Sequence, residues 1–161
     1  MDSRDATWEM KSELQDKIIA INDRIWGDWH TTSDDEAYAP FSHPEKVFSM
    51  IFYLDMEVEN GGFYQWIMNS TGMYVRETRD ALLEIGAPRV AALVEEAMRM
   101  FPGGCPARDK GERFHQLMAL DRTAGDKLDE LSFPYADERY DLFLTLLKYW
   151  DEHGTKAGPA A

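Results

Sequence analysis

The stretch that decides the fold is "EVENGGFYQWIMNSTG", residues 57–72. It places Gly61 and Gly62 side by side between two patterns typical of helices. Glycine readily adopts the positive φ that ends a helix, so we predict that one helix stops at about Asn60 and a short helix follows at about 62–69. Gln65 and Asn69 share a face of that short helix, where their amides can bond backbone groups left unpaired at the corner. A rigid corner is the favoured interpretation, and a ligand pocket behind Asn60, Gln65, Trp66 and Asn69 is the alternative.

Apolar residues recur at intervals of three and four along most of the chain, which is the period of an amphipathic helix. Outward from the corner, this pattern predicts helices at about 7–29, 44–59, 75–85 and 88–101, a helix around 114–118, a shorter one around 128–131 and a last one at 137–153. Gly86 is a predicted left-handed cap, and Pro44 and Pro88 are predicted first residues of helices. We therefore expect an all-α fold with seven or eight helices. A single globular domain at 1–153 would contain a linker loop at 30–43 and a loop at 101–111, followed by a flexible tail at 154–161.

Charge is the unusual feature of the composition. Thirty Asp and Glu against seventeen Lys and Arg give the 161 residues a net charge of −13. Such an excess repels nucleic acid and anionic lipid, because both attract basic surfaces. The charge therefore predicts a basic protein partner, and neither direct nucleic-acid binding nor membrane binding.

The cysteine content and the amino terminus indicate the compartment. Cys105 is the only cysteine, which excludes an intrachain disulfide. The amino-terminal residues lack a basic region followed by an apolar run, and no stretch approaches the roughly 20 apolar residues of a membrane span. We expect a soluble cytoplasmic protein.

Four stretches together carry a family resemblance: residues 57–72, "ALLEIGA", "RFHQLMALD" and "YDLFLTLLKYWDEH". They resemble a bacterial all-helical family known as a domain of unknown function, over about 44–153. That family includes a DNA-mimic protein, an acidic homodimer that occupies the DNA-binding surface of a helix-turn-helix regulator. The resemblance thus implies a helical fold, a homodimer and a role in transcription regulation. Its most specific element is the corner motif, formed by Asn60, Gly61, Gly62, Phe63, Gln65 and Asn69.

The acidic residues form a pattern on the first helix. On a wheel at 100° per residue the acidic residues fall within an arc of about 80°, opposite the apolar residues around Ile18. No lysine or arginine lies within this acidic arc. The row consists of Asp2, Asp5, Glu9, Glu13, Asp16 and Asp23. It would present carboxylates over about 30 Å, close to one turn of duplex.

Two further acidic segments could enlarge this row into a partner-binding face. They are Asp34, Asp35 and Glu36 in the linker, and Asp137, Glu138 and Asp141 in the last helix. The competing interpretations are that the acids near the amino end stabilise the helix dipole and that the charge serves solubility alone, with an apolar dimer face doing the binding.

The sequence contains no complete catalytic or metal-binding pattern. Glu112 and His115 have the Glu-x-x-His spacing of a di-iron helix, but a di-iron site needs a second copy and further glutamates. Cys105 has no neighbouring histidine to activate it. We therefore predict no cofactor, no metal and no enzymatic activity. Asp55 lies near the inward edge of the second helix and is expected to be a buried acid.

The favoured function is a DNA-mimic-like binding protein that blocks the basic nucleic-acid-binding surface of a partner such as a helix-turn-helix regulator. Alternatives are an immunity-type neutraliser of a basic toxin, and a small-ligand protein, metal-binding protein or enzyme.

Overall fold

The computed structural model describes residues 5–154. The helices are α1 (Trp8–Trp26), α2 (His43–Met68), α3 (Val75–Ile85), α4 (Pro88–Met98), α5 (Lys110–Met118), α6 (Arg122–Glu130) and α7 (Ser132–His153). Short 3₁₀ turns lie at Asp34–Glu36, Ser70–Tyr74 and Pro102–Gly104. No strand occurs within the described residues, so the all-α prediction is confirmed. Nor is any helix in this part of the chain both long and apolar enough to cross a membrane.

Helix α2 is the centre of the fold, and α1, α3, α5, α6 and α7 all pack against it. It begins with a capping box, in which the Ser42 side chain accepts from the Glu45 backbone N–H while the Glu45 carboxylate accepts from the Ser42 N–H. Along its length α2 buries Phe48, Leu54 and Trp66 completely. Packing against α2 therefore positions these five helices.

The glycine pair breaks α2 at the predicted place. Gly61 has φ −156° and ψ 21°, and Gly62 has φ 74° and ψ −175°, so neither residue is helical. The Gly62 conformation is open almost only to glycine, because a Cβ would collide with the backbone there. The chain thus continues as a helix on both sides of a kink. Residues 5–154 contain seven α-helices, or eight if the two parts of α2 are counted separately.

Several helix boundaries differ from the prediction: α2 begins at His43 instead of Pro44, α4 ends at Met98 instead of residue 101, and α6 begins at Arg122, well before residue 128. Helix α1 ends at Trp26 rather than Trp29, because Gly27 turns the chain with φ 48°. Helix α7 begins five residues earlier than expected, at Ser132, and contains Pro134 in its first turn. Proline is tolerated there because the first N–H groups of a helix have no intrahelical partner. Residues 155–161 of the predicted tail lie outside the described part.

Aromatic residues attach the 30–43 segment to the rest of the fold. Tyr38 and Phe41 are buried with Met50, and the Trp26 ring contacts the rings of Tyr38 and Phe41 at centroid distances of 5.9 and 5.0 Å. This small core fixes the carboxyl end of α1 and the acidic turn that follows it.

Candidate partner-binding surface

The structure shortens the predicted acidic row on α1. The Thr7 hydroxyl accepts from the Met10 backbone N–H and caps the helix, which begins at Trp8. Asp5 therefore precedes the helix, and Asp2 lies outside the described residues. The α1 acidic row then consists of Glu9, Glu13, Asp16 and Asp23, all exposed. At 1.5 Å per residue it extends about 21 Å instead of about 30 Å.

The carboxylates of this row are mostly unpaired. Glu13 forms an ion pair with Lys17 at 3.1 Å, one helical turn away, and both side chains are exposed. Exposed pairs of this kind contribute little, because water competes for both charges. No cation among residues 5–154 lies within 4.0 Å of Glu9, Asp16 or Asp23. The row thus presents net negative charge outward, on the side of α1 opposite the buried Ile18.

The acidic turn, Asp34–Glu36, is held close to the end of this row. The Trp29 indole N–H donates to the Ala37 carbonyl at 3.0 Å, and the Tyr74 hydroxyl donates to the Asp34 carbonyl. Asp35 and Glu36 are exposed, and Asp34 is half-buried. Because Trp26 and the turn belong to the same aromatic core, the acidic turn follows the α1 row in space as well as in sequence.

The acids of α7 have a different setting. Asp137 and Asp141 are exposed, whereas Glu138 is partly covered and lies 3.4 Å from Arg89. All three line an open groove of approximately 650 Å³ that also includes Lys11. On the helical wheel Lys11 lies about 160° from the centre of the α1 row. The α7 acids therefore border α1 on its core-facing side and do not directly extend the row.

At the corner, the two amides share one carboxylate. Gln65 Nε2 and Asn69 Nδ2 donate to the same oxygen, Oε2 of Glu57, at 2.7 and 2.9 Å. The sequence predicted backbone partners, and it missed Glu57. Trp66 is fully buried beneath these amides. The arrangement ties the two parts of α2 together across the kink.

A second buried polar centre, Arg113 of α5, was not predicted. Its side chain has no solvent exposure and donates to four backbone carbonyls, those of Ile67, Asn69, Ala107 and Arg108, at 2.6–3.0 Å. Burial lowers the pKa of Arg113, and Asp34 and Asp109 act in the opposite direction.

Gly72 is required beside this guanidinium. A Cβ at Gly72 would lie 2.7 Å from the Ile67 carbonyl carbon and 2.8 Å from Arg113 Nε. The glycine in "NSTG" was therefore the available sequence signal that another group approaches the backbone here.

Asp55 is buried, as predicted, and α7 supplies its partners. It accepts from the Tyr135 hydroxyl at 2.8 Å and from Arg139 Nε and Nη2 at 2.8 and 2.9 Å. Burial raises the pKa of Tyr135 well above its ordinary value, and the Asp55 charge raises it further. Arg139 also lies 3.3 Å from Glu59. These charged side chains link α2 to α7 and are paired with one another.

The candidate metal and thiol residues are not brought together into a site. Glu112 and His115 are exposed on α5, and Cys105 is half-buried. Within residues 5–154 no three histidine, cysteine, aspartate or glutamate side chains are grouped so as to hold a metal ion.

Comparison with known proteins gives one match. The model of the family described as DMP19-like protein matches residues 39–153. No curated protein and no solved structure matches the chain. The family match covers well over half of the sequence, from the Ala39 turn to the end of α7, and includes the kinked α2 and the buried Asp55 and Arg113. The chain therefore belongs to the DMP19-like protein family.

Proposed function

We propose that this protein is an acidic DNA mimic, which docks on the basic nucleic-acid-binding surface of a partner such as a helix-turn-helix regulator and blocks it. It acts by binding, without catalysis, and as a homodimer. The observation that carries the proposal is the α1 acidic row, whose four carboxylates are exposed and form a single ion pair with cations of residues 5–154. Membership of a family that includes a DNA-mimic protein supports the same function.

The charge favours fast encounter with a basic surface. A net charge of −13 attracts a basic partner over distances beyond contact. This attraction is screened over about 8 Å at physiological ionic strength. Complex formation should therefore be faster and tighter at low salt.

The spacing of the carboxylates limits how closely the α1 acidic row can imitate a DNA strand. Four carboxylates over about 21 Å are on average about 7 Å apart, whereas phosphates along one DNA strand are about 3.4 Å apart. One row alone therefore has about half the charge density of a single phosphate backbone. The acidic turn, Asp34–Glu36, adds charge at one end of the row, and a second subunit adds an equivalent row. Asp137 and Asp141 of α7 are exposed and can contribute at the edge, whereas Glu138 is engaged with Arg89.

The family match does not include the α1 acidic row. The match begins at residue 39, whereas α1 and the acidic turn lie before it. The matched part contains the other six helices, and the α1 acidic row lies outside it. Partner specificity should accordingly depend on α1 and on residues 34–36 more than on the kinked corner.

The test compares two variants with equal charge change. In the row variant, the four acids are replaced by amides: Glu9→Gln, Glu13→Gln, Asp16→Asn and Asp23→Asn. In the control variant, four exposed acids of α5 and α6 are replaced: Glu112→Gln, Asp126→Asn, Asp129→Asn and Glu130→Gln. Wild-type protein is used to capture a partner from a bacterial lysate, and affinity for the purified partner is then measured at two salt concentrations.

We expect the row variant to lose most of its affinity and its salt dependence, while the control variant retains both. Equal losses in the two variants would show that total charge, not the α1 row, attracts the partner. Unchanged binding by the row variant would refute the mimic function. A captured toxin in place of a nucleic-acid-binding protein would assign the protein to the immunity-type alternative.

A further inference from the structure

A small cavity with aromatic walls lies beneath the carboxyl end of α1. Its volume is approximately 130 Å³, and its walls include the rings of Trp26, Tyr38, Tyr53 and Tyr74. A water molecule occupies about 30 Å³ in the liquid, so the space suits a group of about four or five heavy atoms. We refer to it as the aromatic cavity.

The rings that line the cavity contact one another edge to face. Trp26 meets Tyr38 at 65° and Tyr53 at 86°, with centroids 5.9 and 5.7 Å apart, and Tyr38 meets Tyr74 at 80° and 4.8 Å. Such edge-to-face contacts set neighbouring ring planes at large angles to one another, so rings of different orientation border the cavity. Hydrogen bonds fix two of the walls, because Trp26 Nε1 donates to the Ser49 hydroxyl at 2.8 Å and the Tyr74 hydroxyl donates to a backbone carbonyl. The cavity is therefore largely formed before any ligand arrives.

Acidic residues outnumber basic ones near the cavity. Asp34 is one of its lining residues. Burial raises the pKa of Tyr74, and Asp35, Asp34 and Glu77 raise it further, with Arg108 opposing them. Burial likewise raises the pKa of Tyr53, with a smaller contribution from Asp23. The walls are thus neutral rings with carboxylates close enough to act on them, an environment that favours a cation and disfavours an anion.

We propose that the aromatic cavity binds a trimethylammonium group. The negative face of an aromatic ring attracts a cation, and rings from several directions form the cages that bind quaternary ammonium groups. A trimethylammonium head has four heavy atoms and no N–H, so it loses no hydrogen bond on entering walls made mostly of carbon. A primary ammonium or a guanidinium would leave donors unsatisfied there. This site is independent of the proposed mimic function, because it needs no protein partner.

The first test uses the chain alone and a matched pair of probes. Choline chloride and its neutral analogue 3,3-dimethylbutan-1-ol have the same shape and differ in the charge of the head group. Binding is followed by NMR through the indole N–H of Trp26, at constant ionic strength maintained with sodium chloride. We expect a saturable shift with choline and at least about tenfold weaker binding of the neutral analogue. Equal binding of the two probes, or no saturable shift with choline, would overturn the proposal.

Variants then locate the site. Tyr53→Leu removes one ring and should weaken choline binding about 2-fold to 30-fold, whereas Tyr53→Phe retains the ring and should bind choline as wild type does. Trp8→Phe is the control, because Trp8 is 76% exposed at the opposite end of α1 and does not line the cavity, and this variant should bind choline as wild type does. A loss with Tyr53→Phe equal to that with Tyr53→Leu would contradict recognition by the ring face.

A second pair of probes identifies the source of the head group. N-acetyl-trimethyllysine amide carries the same cation on a peptide-like backbone, whereas choline is a free solute. Tighter binding of choline would support a free small solute as the ligand, and tighter binding of the lysine derivative would support a methylated protein side chain.

Discussion

The buried guanidinium of Arg113 provides the sharpest test of the scaffold. In Arg113→Met, an apolar side chain of similar length replaces a fully buried group that donates to four backbone carbonyls. The bond to the Ile67 carbonyl is buried, whereas those to Asn69, Ala107 and Arg108 are partly buried. Water can therefore reach some of the carbonyls after the substitution, but not all of them.

The magnitude follows from this difference. A buried acceptor left without a partner costs about 1–3 kcal/mol, and a hydrogen bond at a site open to water contributes about 0.5–1.5 kcal/mol. One buried and three partly buried acceptors, less the desolvation cost of several kcal/mol that Arg113 no longer incurs, give a net loss of about 1–4 kcal/mol. Since domains unfold with about 5–15 kcal/mol in total, the variant should be folded but much less stable.

Urea unfolding followed by far-UV circular dichroism measures this loss, read as a lower midpoint at an unchanged slope. Arg113→Lys keeps the charge with fewer donors and should fall between wild type and Arg113→Met. The matched control is Arg122→Met, because Arg122 is 95% exposed and lies 3.9 Å from Asp126, so its loss should be below about 0.5 kcal/mol. A loss below about 1 kcal/mol for Arg113→Met would show that water replaces the guanidinium at all four carbonyls, and the reasoning would fail.

Three further perturbations test the kink, the buried ion pair and the response to alkali. Gly62→Ala forces a Cβ into the φ 74°, ψ −175° conformation and should cost about 1–3 kcal/mol in urea unfolding, more than Gly86→Ala, whose ordinary left-handed conformation (φ 87°) should cost about 1 kcal/mol. Asp55→Asn removes the charge that faces a guanidinium and should cost about 3 kcal/mol in the same assay, and a cost no larger than that of a surface substitution would contradict this role. Burial and the bond to Glu84 raise the pKa of Tyr149 from 10.0 to about 12. Its contribution to stability should therefore be complete below pH 10 and be lost between pH 10 and 12, because the unfolded chain releases this proton first. Tyr149→Phe should reduce the fall in the free energy of unfolding over that range by about 1.4 kcal/mol per pH unit, and identical pH profiles would refute the assignment.

Local signals were sufficient to predict most of the helices. Gly86 adopts the left-handed conformation expected of a cap, and Pro88 begins α4 as expected. The kink at Gly62 was also predictable, because glycine is the residue that tolerates such backbone angles. The start of α7 was missed, since the prediction began this helix at residue 137, whereas Pro134 is accommodated in the first turn, where a proline breaks no hydrogen bond.

The polar centres were not predictable from local pattern. Arg113 bonds a carbonyl 46 residues earlier in the chain, and Asp55 meets Arg139 across 84 residues. Neither pairing leaves a period in the sequence, since both depend on how helices cross in space. Glu57 lies within the decisive stretch, but its two amide partners stand across the kink, so their convergence depends on the backbone path through Gly61 and Gly62.

The same separation between scaffold and surface makes the function testable without ambiguity. The α1 acidic row contributes no buried contact, and Glu9 with Glu13 is a like-charge pair one turn apart, which costs a helix a few tenths of a kcal/mol. Replacing the row by amides removes this repulsion but also the Glu13–Lys17 ion pair and the interaction of Glu9 with the helix dipole, so the free energy of unfolding should change by less than about 1 kcal/mol. Partner binding and stability should therefore move independently in the row variant. If stability falls together with binding, the acids are part of the fold, and their loss says nothing about mimicry; if binding falls alone, the carboxylates themselves are what the partner recognises.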